Sequence, residues 1–212
     1  MGRLGLSKYF EWLKIGIKIQ IFDRGIILEN IFSLISQIFL SYFLWKGIYG
    51  GRDILNGRTF SQMINYIVLS VGISNIFIYP NIYFMSIDIR SGNIAYTLLK
   101  PLDYQMQFLF KNIGIIIPMS MISLFSVLLF RIFVLPLDGP VNFVYFIISI
   151  FLSALTVITF DFVLGVICFW TENSWGINTF KFTMMSFFSG KLIPLDFFPE
   201  YLKYISINIV PF

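Results

Sequence analysis

Between Arg58 and Asp88 the chain carries no charged residue. That run exceeds the roughly 20 apolar residues a helix needs to cross a bilayer. The feature recurs. Glu29 to Lys46, Lys111 to Arg131 and Asp138 to Asp161 are free of charge between their end residues. In lipid the backbone must satisfy its own hydrogen bonds, so runs of this length are expected as helices. A soluble fold would lack the polar residues to cover itself. Only 12% of the residues are charged, against about 25% in soluble domains. The expectation is an all-α polytopic transmembrane helix bundle, a single domain over residues 1–212.

The spans are expected at about 25–45, 63–85, 112–130, 141–170 and 175–189. The last is the least regular, because Lys181 interrupts it, and Gly114 and Pro118 interrupt the third. Residues 1–23 read as an amphipathic helix. Lys8, Glu11, Lys14 and Lys18 share one face, and Leu6, Phe10, Leu13 and Ile17 the other. That pattern suits a helix lying in the membrane surface. The 46–58 segment reads as a hydrophilic, Gly-rich loop. Residues 190–212 are broken by Pro194, Pro199 and Pro211 and are expected as a re-entrant or extracellular hairpin.

The segment from Asp88 to Tyr104 is a polar island among these runs. Ser91, Gly92 and Asn93 offer a turn and an N-cap, and Pro101 ends the short helix that follows. A bare turn between two spans needs about five residues, and this segment is far longer. It is therefore expected to dock a partner. Tyr96 and Leu99 would fill a groove, with Arg90 and Lys100 at its rim. Basic residues favour the side holding the N-terminus and this segment as cytoplasmic, by a small margin.

Little chemistry is available to the chain. It has no histidine and one cysteine, Cys168, so the commonest metal ligand and general base are missing and no intrachain disulfide can form. No metal site and no catalytic residue is expected. Ser189-Gly190-Lys191 lacks the rest of a phosphate-binding loop. The intramembrane polar residues are Glu29, Gln37, Asn65, Asp161 and Lys181. Glu29 suits a helix N-terminus. Asp161 can face a pathway or pair with Lys181, which lies a comparable distance from the 171–174 turn. The amides suit hydrogen bonding between helices. An intramembrane enzyme and a membrane anchor or scaffold subunit are the competing readings.

The chain resembles the membrane subunit of ABC transporters of the ABC-2 permease type. The resemblance lies in the amphipathic N-terminal helix and in Ile87 to Ile94 with Leu98-Leu99-Lys100-Pro101-Leu102. It extends to Phe169-Trp170-Thr171-Glu172-Asn173, and to Ser189-Gly190, Ile193-Pro194-Leu195 and Phe198-Pro199 before Pro211-Phe212. It implies a permease subunit of an ATP-driven exporter in the plasma membrane, of the bacterial inner or cell membrane type, with a cytoplasmic N-terminus. Arg90, Ser91, Gly92, Asn93, Tyr96, Leu99 and Lys100 would form a coupling helix on an ATP-binding subunit. ATP and magnesium would be bound by that partner, not by this chain. A second permease subunit, identical or similar, would complete the pathway within the lipid bilayer, and nucleic acid is not an expected partner. Gly190, Pro194 and Pro199 would belong to the re-entrant hairpin. The family usually has a sixth span after that hairpin, and its absence here suggests a truncated chain.

Overall fold

The computed structural model describes residues 2–22, 24–77, 79, 81–133, 143–171 and 173–210, with the side chains of 2–6, 129–133 and 143 left aside. The elements in order are α1 (Gly2–Phe22), α2 (Arg24–Tyr49), β1 (Ile54–Leu55), β2 (Arg58–Thr59), α3 (Phe60–Ile76), α4 (Asn81–Arg90) and α5 (Asn93–Leu98). They continue with α6 (Tyr104–Phe133), α7 (Phe143–Thr171), α8 (Trp175–Phe188), a 3-10 turn (Leu195–Phe197) and α9 (Glu200–Asn208). The fold is an all-α helix bundle. Four helical stretches are long and apolar enough to cross a membrane: Arg24–Tyr49, Phe60–Arg90, Tyr104–Leu128 and Val144–Thr171.

α2 and α3 share a buried hydrophobic cluster. Leu34, Ile38 and Trp45 of α2 bury against Met63, Ile67 and Val71 of α3. The connection between them is a small antiparallel hairpin, β1 with β2. Asn56 and Gly57 both have positive φ, 50° and 79°, as the tight I′ hairpin turn requires. The Asn-Gly pair was the sequence signal for it inside the expected loop. α3 then starts on a capping box. Thr59 Oγ1 accepts from the Gln62 backbone N–H, and Gln62 Oε1 accepts from the Thr59 N–H.

α3 meets α6 at Gly72, whose carbonyl accepts the Ser123 hydroxyl. α4 runs alongside α7, with Asn81 beside Asp161 and Met85 beside Gly165. The chain between α3 and α4 is not helical at Tyr79, so the second apolar run is two helices rather than one rod. Pro80 lies outside the described residues, as do residues 134–142, Glu172 and Pro211-Phe212.

α1 has the amphipathic pattern expected of it, with Lys8, Glu11, Lys14 and Lys18 exposed. Its other face, however, has a protein partner. Tyr9 reaches Asp103 and Phe110, Gly16 meets Lys111 and Ile115, and Gln20 donates to Met119 Sδ at 2.9 Å. The two helices therefore lie lengthwise together, where a helix resting flat on a membrane would cross α6 at one level. They touch backbone to backbone at Gly16 and Gly114, the close approach that small residues permit.

Several details differ from expectation. Span 175–189 is a helix only over Trp175–Phe188, about 21 Å at 1.5 Å per residue, short of the roughly 30 Å hydrocarbon core. It ends at Gly190, which takes a left-handed φ of 77°. α6 runs unbroken through Gly114 and Pro118, and Gly114 lies against the α1 backbone at Leu13 and Ile17. Neither Ser91 nor Asn93 caps α5. Gly92 occupies the N-cap with φ 74° and has no side chain to offer, while the Ser91 hydroxyl turns back to the Asp88 carbonyl.

A methyl group on Gly16 would land on the Lys111 carbonyl, and one on Gly114 on the Leu13 carbonyl. Gly16→Ala and Gly114→Ala should each destabilise the protein by about 1–3 kcal/mol. Thermal unfolding in detergent would show this as a lowered midpoint. An unchanged midpoint would contradict the close crossing.

Candidate coupling surface and intramembrane polar site

The polar island folds as the end of α4, the single-turn-and-a-half helix α5 and the N-cap of α6. Asp103 caps α6, its Oδ1 accepting from Gln105 N at 2.9 Å and Met106 N at 3.3 Å. Its own backbone N–H donates to Tyr9 Oη at 3.1 Å. Lys100 Nζ sits 4.9 Å from the Trp12 ring centroid, a cation–π contact. Ile94 is buried. The element is thus fastened to α1 and to the bundle from behind. Its outer face is left open: Arg90, Ser91, Gly92, Asn93, Tyr96, Leu99 and Lys100 are all exposed. Tyr96 retains 73% and Leu99 82% of its accessible surface.

At the opposite end of α4 lies a buried polar cluster. Lys181 Nζ of α8 is 2.5 Å from Asp161 Oδ1 of α7, with side chains 5% and 1% exposed. Asn81 Nδ2, at the first residue of α4, donates to Asp161 Oδ2 at 2.9 Å. The ion pair that the sequence leaves as one of two options is thus formed, and Asn81 adds a third helix to it. A lone charge at this depth would be strongly penalised, and each partner removes most of the other's penalty.

The hairpin after α8 is pinned to the far ends of α2 and α3. Tyr66 Oη donates to the Gly190 carbonyl at 2.9 Å. Phe197 packs on Trp45, with ring centroids 5.4 Å apart. Asp196 carries an ion pair from Arg58 and another from Lys203 at 3.3 Å, and its carbonyl accepts from Asn56 Nδ2 at 3.0 Å. The Arg58 hydrogen bond holds the Asp196 carboxyl below its ordinary value of 3.8. Pro194 is buried and Pro199 is the N-cap of α9. Burial pushes the Lys191 ammonium down from its ordinary value.

A family profile described as ABC-2 family transporter protein matches residues 35–212. The chain belongs to the ABC-2 transporter family. It is a multi-pass membrane protein with a transport permease role. Comparison with curated proteins and with solved structures returned no match. The profile covers α5, the polar cluster and the segment after α8, and α1 lies outside it.

The other polar residues of this ABC-2 transporter are dispersed. Glu29 is exposed on α2, and Gln37 donates locally to Ser33 Oγ at 2.7 Å. Asn65 is half-buried on α3. None of the three joins Asp161 and Lys181. Asn75 is buried, and neither of its side-chain amide atoms has a hydrogen-bond partner among the described residues. Asn81, Arg58 and Asp196 carry structural weight that the sequence does not flag. The Pro80-Asn81 step hints at a helix start, but nothing in spacing links Arg58 to Asp196.

Asp161→Asn should cost about 3–5 kcal/mol of stability by stranding the Lys181 charge. The double replacement Asp161→Leu with Lys181→Met should recover most of that loss, and thermal unfolding in detergent measures both. Because the folded pKa of Asp196 is lowered, its contribution is present above the unfolded value and is lost as pH falls through the folded one. The thermal midpoint in detergent should hold from neutral pH down to about pH 4 and fall on further acidification as this carboxylate is protonated. In Asp196→Asn the midpoint should be lower at neutral pH, and the part of the acid-induced fall that Asp196 contributes should be missing.

Proposed function

We propose that this chain is the permease subunit of an ATP-driven ABC exporter, with α5 as its coupling helix. ATP-binding subunits of the transporter, holding ATP and magnesium, would seat on the exposed face of α5. Members of this family generally work with such a subunit. The observation that carries the reading is the contrast within α5. Its inner side is secured by Ile94, Trp12 and Tyr9, while Tyr96 and Leu99 project outward with nothing covering them. Large apolar side chains on a rigid, polar-rimmed helix have the character of interface anchors.

The mechanical route follows from the fold. α4 connects α5 directly to Asn81, and Asn81 holds Asp161 and through it Lys181. Displacement of α5 by nucleotide-driven closure of the partner would move α4 as a short lever against α7 and α8. A second permease subunit would supply the other wall of the pathway, and substrate would leave by alternating access. The N-terminus and α5 lie on the cytoplasmic side in this arrangement, and the hairpin pinned by Asp196 lies outside.

Replacing Tyr96 and Leu99 by Asp should weaken co-purification with the ATP-binding subunit by at least about tenfold, as loss of interface anchors does. Quantitative pull-down in mild detergent measures it, with thermal unfolding to show that the variant is folded. Undiminished co-purification of the folded double variant would exclude α5 as the docking helix.

A further inference from the structure

A cavity of about 150 Å³ lies between α3, α7 and α8. Lys181 and Lys191 both line it. The Lys181 charge is already balanced by Asp161. The Lys191 charge is not. Among the described residues no carboxylate comes within ion-pairing distance of it, and its ammonium lies 5.4 Å from the Phe182 ring centroid. The side chains of Asn178 and Ser186, also in the lining, make no hydrogen bond among the described residues. The cavity thus holds one cation without a counter-charge and donors without acceptors. A half-buried ammonium in this position is stabilised by an anion.

The remaining walls are apolar, Val157 and Phe182 among them. Phe182 is exposed on its outer side, so the cavity is bordered by hydrocarbon where it meets the surroundings of the bundle. A cavity of this size takes a benzene-sized group and no more. It accommodates an anionic head and the first carbons of a chain, and the rest of the chain would extend past Phe182.

We propose that this cavity binds an anionic amphiphile, an oxyanion head on an alkyl or acyl chain, with Lys191 as its counter-charge. That the bound molecule is the transported substrate rests on the exporter reading above, whereas binding itself does not.

The test uses the full chain in nanodiscs of zwitterionic phosphatidylcholine, without ATP or any ATP-binding subunit. Radiolabelled dodecanoate and dodecyl phosphate are titrated, with dodecanol and inorganic phosphate as competitors. Saturable binding of both amphiphiles at one site per chain is expected, with dodecanol and inorganic phosphate each competing at least about tenfold less well. Lys191→Gln should weaken binding about tenfold or more, the scale of a lost charge-assisted hydrogen bond. Lys191→Arg, which keeps the charge, should retain it. The proposal is overturned if dodecanol competes equally, if inorganic phosphate competes equally (a free-anion site), if neither amphiphile saturates, or if the two Lys191 variants behave alike. Failure here leaves α5 docking untouched, and failure of the pull-down leaves this site untouched.

Discussion

Burying Asp161 and Lys181 inside an apolar bundle is the constraint on which the arrangement of the later helices depends. Neither charge can be left alone at that depth without a cost larger than most single interactions can offset. The pair is satisfied only if α7 and α8 come together at one level, and Asn81 completes the carboxylate only if α4 begins there too. The interruption around Tyr79 is what lets a new helix start at that point. The short α8 follows from the same demand. Its middle is drawn inward by Lys181, and it turns back at Gly190 after fewer residues than a bilayer crossing takes.

Around that cluster the molecule is divided into parts that are fastened and parts that are left open. α1 and α6 are locked along their length by the contact of Gly16 with Gly114. α1 in turn holds the 88–104 segment through Tyr9 and Trp12. At the other end, Arg58 of β2 and Tyr66 of α3 secure the segment after α8. Among the exposed faces are Tyr96 and Leu99 at one end and the mouth of the Lys191 cavity beside α8. In the proposed arrangement, force would enter at the exposed face of α5 and a ligand would enter where packing is incomplete.

The seven residues expected for partner docking all lie on one exposed element, because a polar island between apolar runs has only one place to go. The ion pair was legible as a possibility from the comparable distances of Asp161 and Lys181 from the 171–174 turn. Asn81 was not, since its role depends on a helix start rather than on periodicity. The β-hairpin had a local signal in Asn56-Gly57 that composition alone obscures. The scattered places of Glu29, Gln37 and Asn65 show the limit of counting polar residues within spans, for depth along a helix says nothing about which way a side chain faces.

By itself the sequence determined that this is a membrane-embedded all-α bundle, where its long helices lie, and that one polar segment interrupts them. Those are consequences of hydrophobic run length and of the need to satisfy backbone hydrogen bonds in lipid, both local properties of the chain. Only the tertiary structure decided that α1 lies along α6, that α8 stops short, that Asp196 is tied to Arg58 and that Lys191 has no counter-charge among the described residues. Those outcomes depend on which helix faces meet, and contacts between residues distant in sequence are set by packing and by the pairing of buried charge.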